Sequence, residues 1–97
     1  MDKQEEYAIE LKQMVVIGQQ AREVLKHPYM KRFLRDEIKG CIELFKILEP
    51  NDDKVLGCHT YFLAVNRLEE RLKTDIENGD IAAEKLKNAD KMKGVNI

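Results

Sequence analysis

A helical hairpin between His27-Pro28 and Asn78-Gly79 constrains this chain more than any other feature. Its two arms meet at the segment Glu49 to Asp53, where Pro50 ends the first arm and Asp52 can cap the second. Apolar residues recur at three- and four-residue spacings along both arms and also lie on neighbouring faces, as amphipathic helices with more than one apolar side do. A small chain has little else with which to cover those faces. The sequence therefore predicts that the hairpin assembles with copies of itself.

The principal apolar stripes predict which faces of the two arms meet. On the first arm the stripe consists of Met30, Phe33, Leu34, Ile38, Cys41, Ile42, Phe45 and Leu48. On the second arm the heptad seam consists of Val55, Cys58, Phe62, Val65, Leu72 and Ile76, interrupted by Glu69. The additional apolar residues that need another partner are Leu44, Ile47, Leu56, Tyr61, Leu63 and Leu68.

The segments that flank the hairpin also have helical patterns. A first helix is expected from about Asp2 to Lys26, with Gly18 marking either a kink or a close approach by another backbone. Asn78-Gly79 predicts a helix stop, after which Asp80 would cap a short last helix over 81–91. The predicted fold is an all-α single domain over residues 1–97, with a hairpin over 28–78.

Charge and composition exclude several classes of function. The chain of 97 residues has 17 basic and 18 acidic side chains and a net charge of −1, so no global field attracts DNA, RNA or an anionic membrane. The apolar runs, such as Met14 to Ile17, are too short to cross a bilayer, and the N-terminus is polar and acidic. Cys41 and Cys58 are therefore expected to be reduced thiols in a cytoplasmic protein.

The sequence offers no pattern typical of catalysis. Serine is absent, and Cys58 and His59 are adjacent on a helix, so they point about 100° apart. No close ligand pair of the kind that holds zinc is present, and no glycine-rich phosphate loop. We expect a protein that is not an enzyme and that needs neither a metal nor a cofactor.

Isolated basic residues point to anion binding at a local site. Lys26-His27 lies at the end of the first helix, and Arg67 and Arg71 lie one turn apart on the second arm. Helical spacing equally allows pairs within the chain, such as Arg67 with Glu70. In a symmetric oligomer, one arginine per copy becomes a ring that can bind a multiply charged anion. Tyr7, near the N-terminal end, is either a core residue or a platform for a nucleobase.

Three segments carry a resemblance to a known family of small phage proteins. They are the run from Val24 to Tyr29, the run from Leu68 to Leu72, and Asn78-Gly79-Asp80 with Ala82-Ala83. Over roughly residues 14 to 88, the chain resembles the hairpin domain of anti-CBASS and anti-Thoeris nucleotide sponges, and it looks closest to the all-helical anti-CBASS type. The resemblance implies a homohexamer in the host bacterial cytoplasm that sequesters cyclic di- and trinucleotides without cleaving them.

The resemblance also implies positions for two kinds of binding site. The matching residues for cyclic dinucleotides are Tyr7 and Lys26, with Arg22 as a rival for the role of the lysine. Arg67 matches the arginine that holds the phosphates of cyclic trinucleotides. His27-Pro28 replaces the hydroxyl-bearing residue that we expect after the lysine, so His27 would supply any donor there. The alternative function is that of a phage structural or assembly adaptor that acts through helical protein contacts.

Overall fold

The protein is all-helical, as the sequence predicts. The computed structural model describes the backbone of residues 2–95 and the side chains of residues 2–90. The helices are α1 (Lys3–Lys26), α2 (Pro28–Ile47) and α3 (Lys54–Val95). They form two compact units: unit 1 comprises Met1–Glu23 and Leu72–Ile97, and unit 2 comprises Val24–Arg71. Each unit therefore contains part of α1 and part of α3. The assignment of residues 1–97 to a single domain stays a prediction.

Local capping explains where α1 begins. The Asp2 Oδ1 atom accepts a hydrogen bond of 2.8 Å from the backbone N–H of Glu5, which satisfies one of the unpaired donors of the first turn. Glu5 and Glu6 place negative charge in that turn, where the helix dipole favours it. The predicted start of the first helix is therefore confirmed to within one residue.

The connection between α2 and α3 confirms the predicted hairpin. α2 ends at Ile47, and Asp52 Oδ1 accepts a 2.8 Å hydrogen bond from the backbone N–H of Lys54 at the start of α3. Across the hairpin, Cys41 contacts Cys58 near the turn, whereas Glu37 contacts Tyr61 farther from it. The two helices of unit 2 consequently run antiparallel.

The core of unit 2 follows the predicted stripes. Leu34 and Cys41 on α2 and Val65 on α3 are buried. The Phe45 and Phe62 rings meet edge to face, with centroids 5.9 Å apart. Most other stripe residues are half-buried, but Ile42 is exposed, so its assignment to the principal stripe is wrong. The reason is geometric: the buried face of α2 is narrower than the sequence pattern suggests.

In unit 1, α1 and α3 approach each other at two glycines. A Cβ atom added to Gly18 would lie 2.8 Å from the Asp75 carbonyl oxygen and 2.9 Å from Gly79 Cα. A Cβ atom on Gly79 would lie 2.9 Å from Gly18 Cα. The close approach that the sequence suggested at Gly18 is confirmed, since two helix backbones can come this near only where both residues lack a side chain.

The same contact corrects the predicted C-terminal helix. The sequence placed a stop at Asn78-Gly79 and a separate short helix over 81–91, whereas α3 continues unbroken from Lys54 to Val95. Gly79 does not end the helix; it is buried against α1 and allows the helices to pack closely. Asp80 accordingly lies inside α3 and caps no helix. Ala82 is almost completely buried.

Both units leave large apolar side chains in contact with solvent. The exposed side chains of unit 2 include all six that the sequence set apart, and Ile47 and Leu56 are 75% and 73% exposed. Ile9, Val16 and Ile17 are exposed on α1 in unit 1. Buried apolar residues are few by comparison: Leu11, Ala21, Leu34, Cys41, Val65 and Ala82. The surplus of apolar surface that the sequence indicated is therefore present in the folded chain.

Candidate functional site

The junction between α1 and α2 presents Lys26 and His27 to solvent. Lys26 is the last residue of α1, and His27 adopts an extended conformation (φ −62°, ψ 127°) before Pro28 begins α2. This geometry follows from the sequence, because the residue before a proline avoids the helical region and proline fits the first position of a helix. The junction therefore fixes the direction in which both side chains leave the backbone.

The ring of His27 caps the N-terminus of α2. Its Nδ1 atom accepts a hydrogen bond of 3.1 Å from the backbone N–H of Tyr29. An imidazole nitrogen that accepts a hydrogen bond carries no proton, so the proton of the neutral ring lies on Nε2. The cap thus leaves Nε2–H as a donor for an anion such as a phosphate. A donor at this position is what the resemblance implies for His27.

Arg22, the rival of Lys26, is engaged in an ion pair within unit 1. Its Nη2 atom donates to both carboxylate oxygens of Asp80, and each distance is 2.9 Å. In the described part of the chain, Lys26 makes no such pair. An anion would have to displace Asp80 to reach Arg22, although a solvent-exposed pair of this kind contributes only about 0–1 kcal/mol. Among the described residues Lys26 is therefore the more accessible of the two cations.

Tyr7 and Arg22 lie far apart on α1. Fifteen residues separate them, which corresponds to about 22 Å along the axis at the rise of an α-helix. The Tyr7 ring is half exposed and projects from the N-terminal part of the helix. A single copy of unit 1 therefore does not bring Tyr7 and Arg22 to one ligand. A site that used both residues would need a second copy of the chain.

Arg67 lies on the exposed surface of α3 in unit 2. Among the described residues it makes no salt bridge, so the alternative pairing with Glu70 is not formed. Its neighbour Arg71, in contrast, interacts with other groups of the chain. Arg67 is thus an accessible cation, which suits the role that the resemblance gives it.

Unit 2 also contains a cavity of about 700 Å³ that we call the hairpin groove. It lies between α2 and α3 and is largely apolar. Its lining residues are Glu37, Gly40, Cys41, Leu44, Leu48, Lys54, Gly57, Cys58 and Tyr61. None of the predicted nucleotide-binding residues contributes to it. Gly40 and Gly57 line the groove, and glycines inside helices suggest a close approach by a backbone, a subunit or a ligand. Within the single chain no such approach occurs, since a Cβ atom added to either would meet nothing within 4 Å.

Two hydrogen bonds join the helices across the hairpin groove. The Tyr61 hydroxyl donates to Glu37 Oε2 at 2.7 Å, and this hydrogen bond raises the pKa of the Tyr61 phenol above its ordinary value. The Cys58 thiol donates to the Cys41 carbonyl oxygen at 4.0 Å. Burial raises the pKa of the Cys41 thiol, and the neighbouring Cys58 and Glu37 add to the shift. Cys41 therefore stays a protonated thiol near neutral pH and is a poor nucleophile.

Comparisons of the chain with protein-family models, with curated proteins and with solved structures found no match. Within the described residues, no helix has both the length and the hydropathy that a membrane crossing requires. No three His, Cys, Asp or Glu side chains of the described region come together as metal ligands would. The positions of Lys26, His27 and Arg67 are therefore interpreted from their own geometry and from the sequence resemblance.

Proposed function

We propose that this protein is a phage anti-defence protein that binds cyclic di- and trinucleotides of bacterial CBASS immunity and holds them uncleaved in the host cytoplasm. It acts as a homo-oligomer, which we take to be a hexamer, and the binding sites lie between copies. The observation that carries the proposal is the junction of α1 and α2, where Lys26 is exposed and unpaired among described residues and the cap leaves His27 Nε2–H free to donate. The sequence resemblance supplies the ligand class.

The apolar surface supports assembly as part of this function. Large apolar side chains are exposed in both units, and Ile9, Val16 and Ile17 line one shallow depression on α1. Exposed apolar side chains that cluster in this way mark interaction sites. Tyr7 and Arg22 are about 22 Å apart in one chain, so a shared pocket requires residues from different copies. In a symmetric oligomer each copy contributes the same exposed cation to the site. Several cations then surround one anion, although each chain has a net charge of −1.

Uptake of an intact nucleotide tests the proposed function. Purified protein mixed with a 3′,3′-linked cyclic dinucleotide, and separately with cyclic tri-AMP, should bind in a fixed molar ratio by isothermal titration calorimetry. After denaturation, mass spectrometry should recover the ligand with unchanged mass, since no bond is broken. Recovery of a linear product would assign the protein to the enzymes. Absence of heat with every cyclic di- and trinucleotide tested would reject the proposal.

Substitutions at the predicted positions separate the two classes of ligand. Lys26→Ala and Tyr7→Ala should each weaken dinucleotide binding by about tenfold or more, because a charge-assisted bond or a stacked base contributes about 1–3 kcal/mol. Arg67→Ala should selectively weaken trinucleotide binding. Calorimetry measures both, and light scattering checks that the mass of the assembly is unchanged. Equal loss of both ligands in every variant would contradict the assignment of sites.

Asp80→Asn is the matched test of Arg22. The variant frees the guanidinium at little cost in stability, since an exposed pair contributes about 0–1 kcal/mol. If Arg22 binds the phosphate, dinucleotide affinity rises in Asp80→Asn and falls in Arg22→Ala. If Lys26 has that role, as we propose, neither variant changes the affinity as much as Lys26→Ala.

The second candidate function is the phage assembly adaptor, which the exposed apolar residues of α1 favour. Ile9, Val16 and Ile17 form a face that a partner protein could cover. Copurification with virions or with a capsid component would support this function. A free oligomer that carries a cyclic nucleotide would exclude it as the principal role.

A further inference from the structure

The hairpin groove presents an open apolar concavity on the outer surface of unit 2. Gly40 on α2 and Gly57 on α3 leave room on both sides of it, since neither position has a neighbour within 4 Å of where a Cβ would lie. Leu44 lines the same groove and is nearly half exposed. Gly40 and Leu44 are one helical turn apart on the same helix. The groove therefore has empty space beside its two glycines and a projecting leucine side chain that could fill such a space in another copy.

The two ends of the hairpin groove carry opposite charges. Lys54 lies at the turn end, at the start of α3. Glu37 lies at the other end, where its carboxylate accepts the hydrogen bond from Tyr61. Lys54 and Tyr61 are seven residues apart, so the cation and the anion are separated by about 10 Å along the helix axis. A surface with this pattern is complementary to itself when one copy is reversed.

We propose that the hairpin groove is the contact between two copies of this chain, packed about a two-fold axis with their hairpins antiparallel and their turns at opposite ends. Each Lys54 then faces Glu37 of the second copy, and the axis passes close to the level of Cys41, midway between them. Each Leu44 consequently packs into the part of the other copy's groove between Glu37 and Gly40. The opposite arrangement, with both turns at the same end, would place Lys54 against Lys54 and Glu37 against Glu37.

Burial of the groove gives this contact its driving force. Two hairpins with short connections form a four-helix bundle when each contributes a second apolar face. The contact covers Leu44, Leu48 and the ring of Tyr61, while charges remain at the rim. Rim charges of this kind select the orientation more than they add affinity. The inference rests on the self-association that the proposed function requires, and it needs no nucleotide.

Charge reversal in mixed samples tests the orientation. Lys54→Glu alone places the introduced carboxylate against Glu37 in both contacts of the dimer, and Glu37→Lys alone places the introduced ammonium against Lys54. Each variant should associate about tenfold more weakly or worse, because like charges at an interface cost up to several kcal/mol. In an equimolar mixture, the mixed dimer has one wild-type-like contact and one reversed contact, both of opposite charge, so it should form. Sedimentation velocity with one variant fluorescently labelled measures this directly.

Matched controls identify effects that do not come from the groove. Lys46→Glu and Glu43→Lys are substitutions of the same two types at positions of α2 that do not line the groove. Both variants should associate like the wild type. Tyr61→Phe removes the hydrogen bond to Glu37 without reversing a charge and should also associate like the wild type. Circular dichroism verifies that each variant remains helical. If both single reversals associate normally, or if the mixture recovers nothing, the groove is not this interface.

Calorimetry on the same preparations distinguishes this inference from the proposed function. If the variants show the charge-swap pattern but the wild-type protein binds no cyclic nucleotide, the interface is supported and the proposed function is rejected. If the wild-type protein binds nucleotide but the charge swaps do not change association, the function is supported and the interface is rejected. Recovery of a small molecule from the groove, with a wild-type chain that stays monomeric at all concentrations, would likewise overturn the interface.

Discussion

Gly18→Ala should destabilise the protein, whereas the chemically identical change Gly57→Ala should stabilise it. At Gly18 the new methyl group would lie within 3 Å of two backbone atoms of α3, which cannot rotate away as a side chain can. Overpacking of this kind costs about 1–3 kcal/mol. At Gly57 nothing in the same chain lies within 4 Å, so replacing this helix glycine by alanine gains about 1 kcal/mol in the dissociated chain. The two variants should therefore move stability in opposite directions.

Thermal unfolding followed by circular dichroism measures the difference between the two glycine variants. Each kcal/mol corresponds to about 4–8 °C in Tm for a chain of this size. Both variants are compared with the wild type at a concentration where all have the same mass, because association stabilises a folded state by mass action. Gly79→Ala should behave like Gly18→Ala, since its Cβ would lie 2.9 Å from Gly18 Cα. Stability gained at Gly18 would contradict the helix contact in unit 1.

Leu34→Ala should lower the free energy of unfolding by about 2–5 kcal/mol, as truncations of buried leucines do. Leu34 is 4% exposed on α2, within a core that contains few other buried side chains. Small domains are stabilised by only about 5–15 kcal/mol in total, so this loss is a large fraction of the whole. Thermal unfolding should show a large decrease in Tm, and limited proteolysis should cut α2 sooner than in the wild type.

Leu56→Ala is the matched control for Leu34→Ala. Leu56 is 73% exposed in the single chain, so its truncation should change the stability of the isolated chain by no more than about 0.5 kcal/mol. If assembly covers Leu56, the variant should instead lower the mass measured by light scattering. A loss of stability equal to that of Leu34→Ala in a monomeric sample would contradict the burial pattern of unit 2.

The hairpin was predictable because its signals are local. Pro28, Asp52 and the spacing of the apolar residues each act through neighbours one or two turns away, and all three have the predicted effects. The stop at Gly79 failed for the opposite reason. A glycine that ends a helix and a glycine that allows two helices to touch look alike in sequence. Only the approach of Gly18, sixty-one residues earlier in the chain, distinguishes them.

The candidate site itself stays a prediction, and only part of its local geometry followed from the sequence. The extended backbone of His27 follows from the proline after it, whereas the hydrogen bond from the Tyr29 N–H to its Nδ1 atom was not predicted. The pairing of Arg22 with Asp80 spans 58 residues and gives no periodic signal. The hairpin groove was not predicted, since an open space has no sequence pattern of its own. The spacing of apolar residues shows which helix faces are apolar, but it does not show which surface of another copy covers them.

The division of the chain into units has a consequence for how it folds. Unit 2 consists of the contiguous segment Val24–Arg71, whose helices meet across a short turn. Unit 1 joins the two ends of the chain, so its contacts close a loop that contains all of unit 2. Local contacts form quickly, and closing a longer loop costs more entropy. We therefore expect the chain to fold from its middle outward, with the docking of Gly18 on Gly79 as the last step.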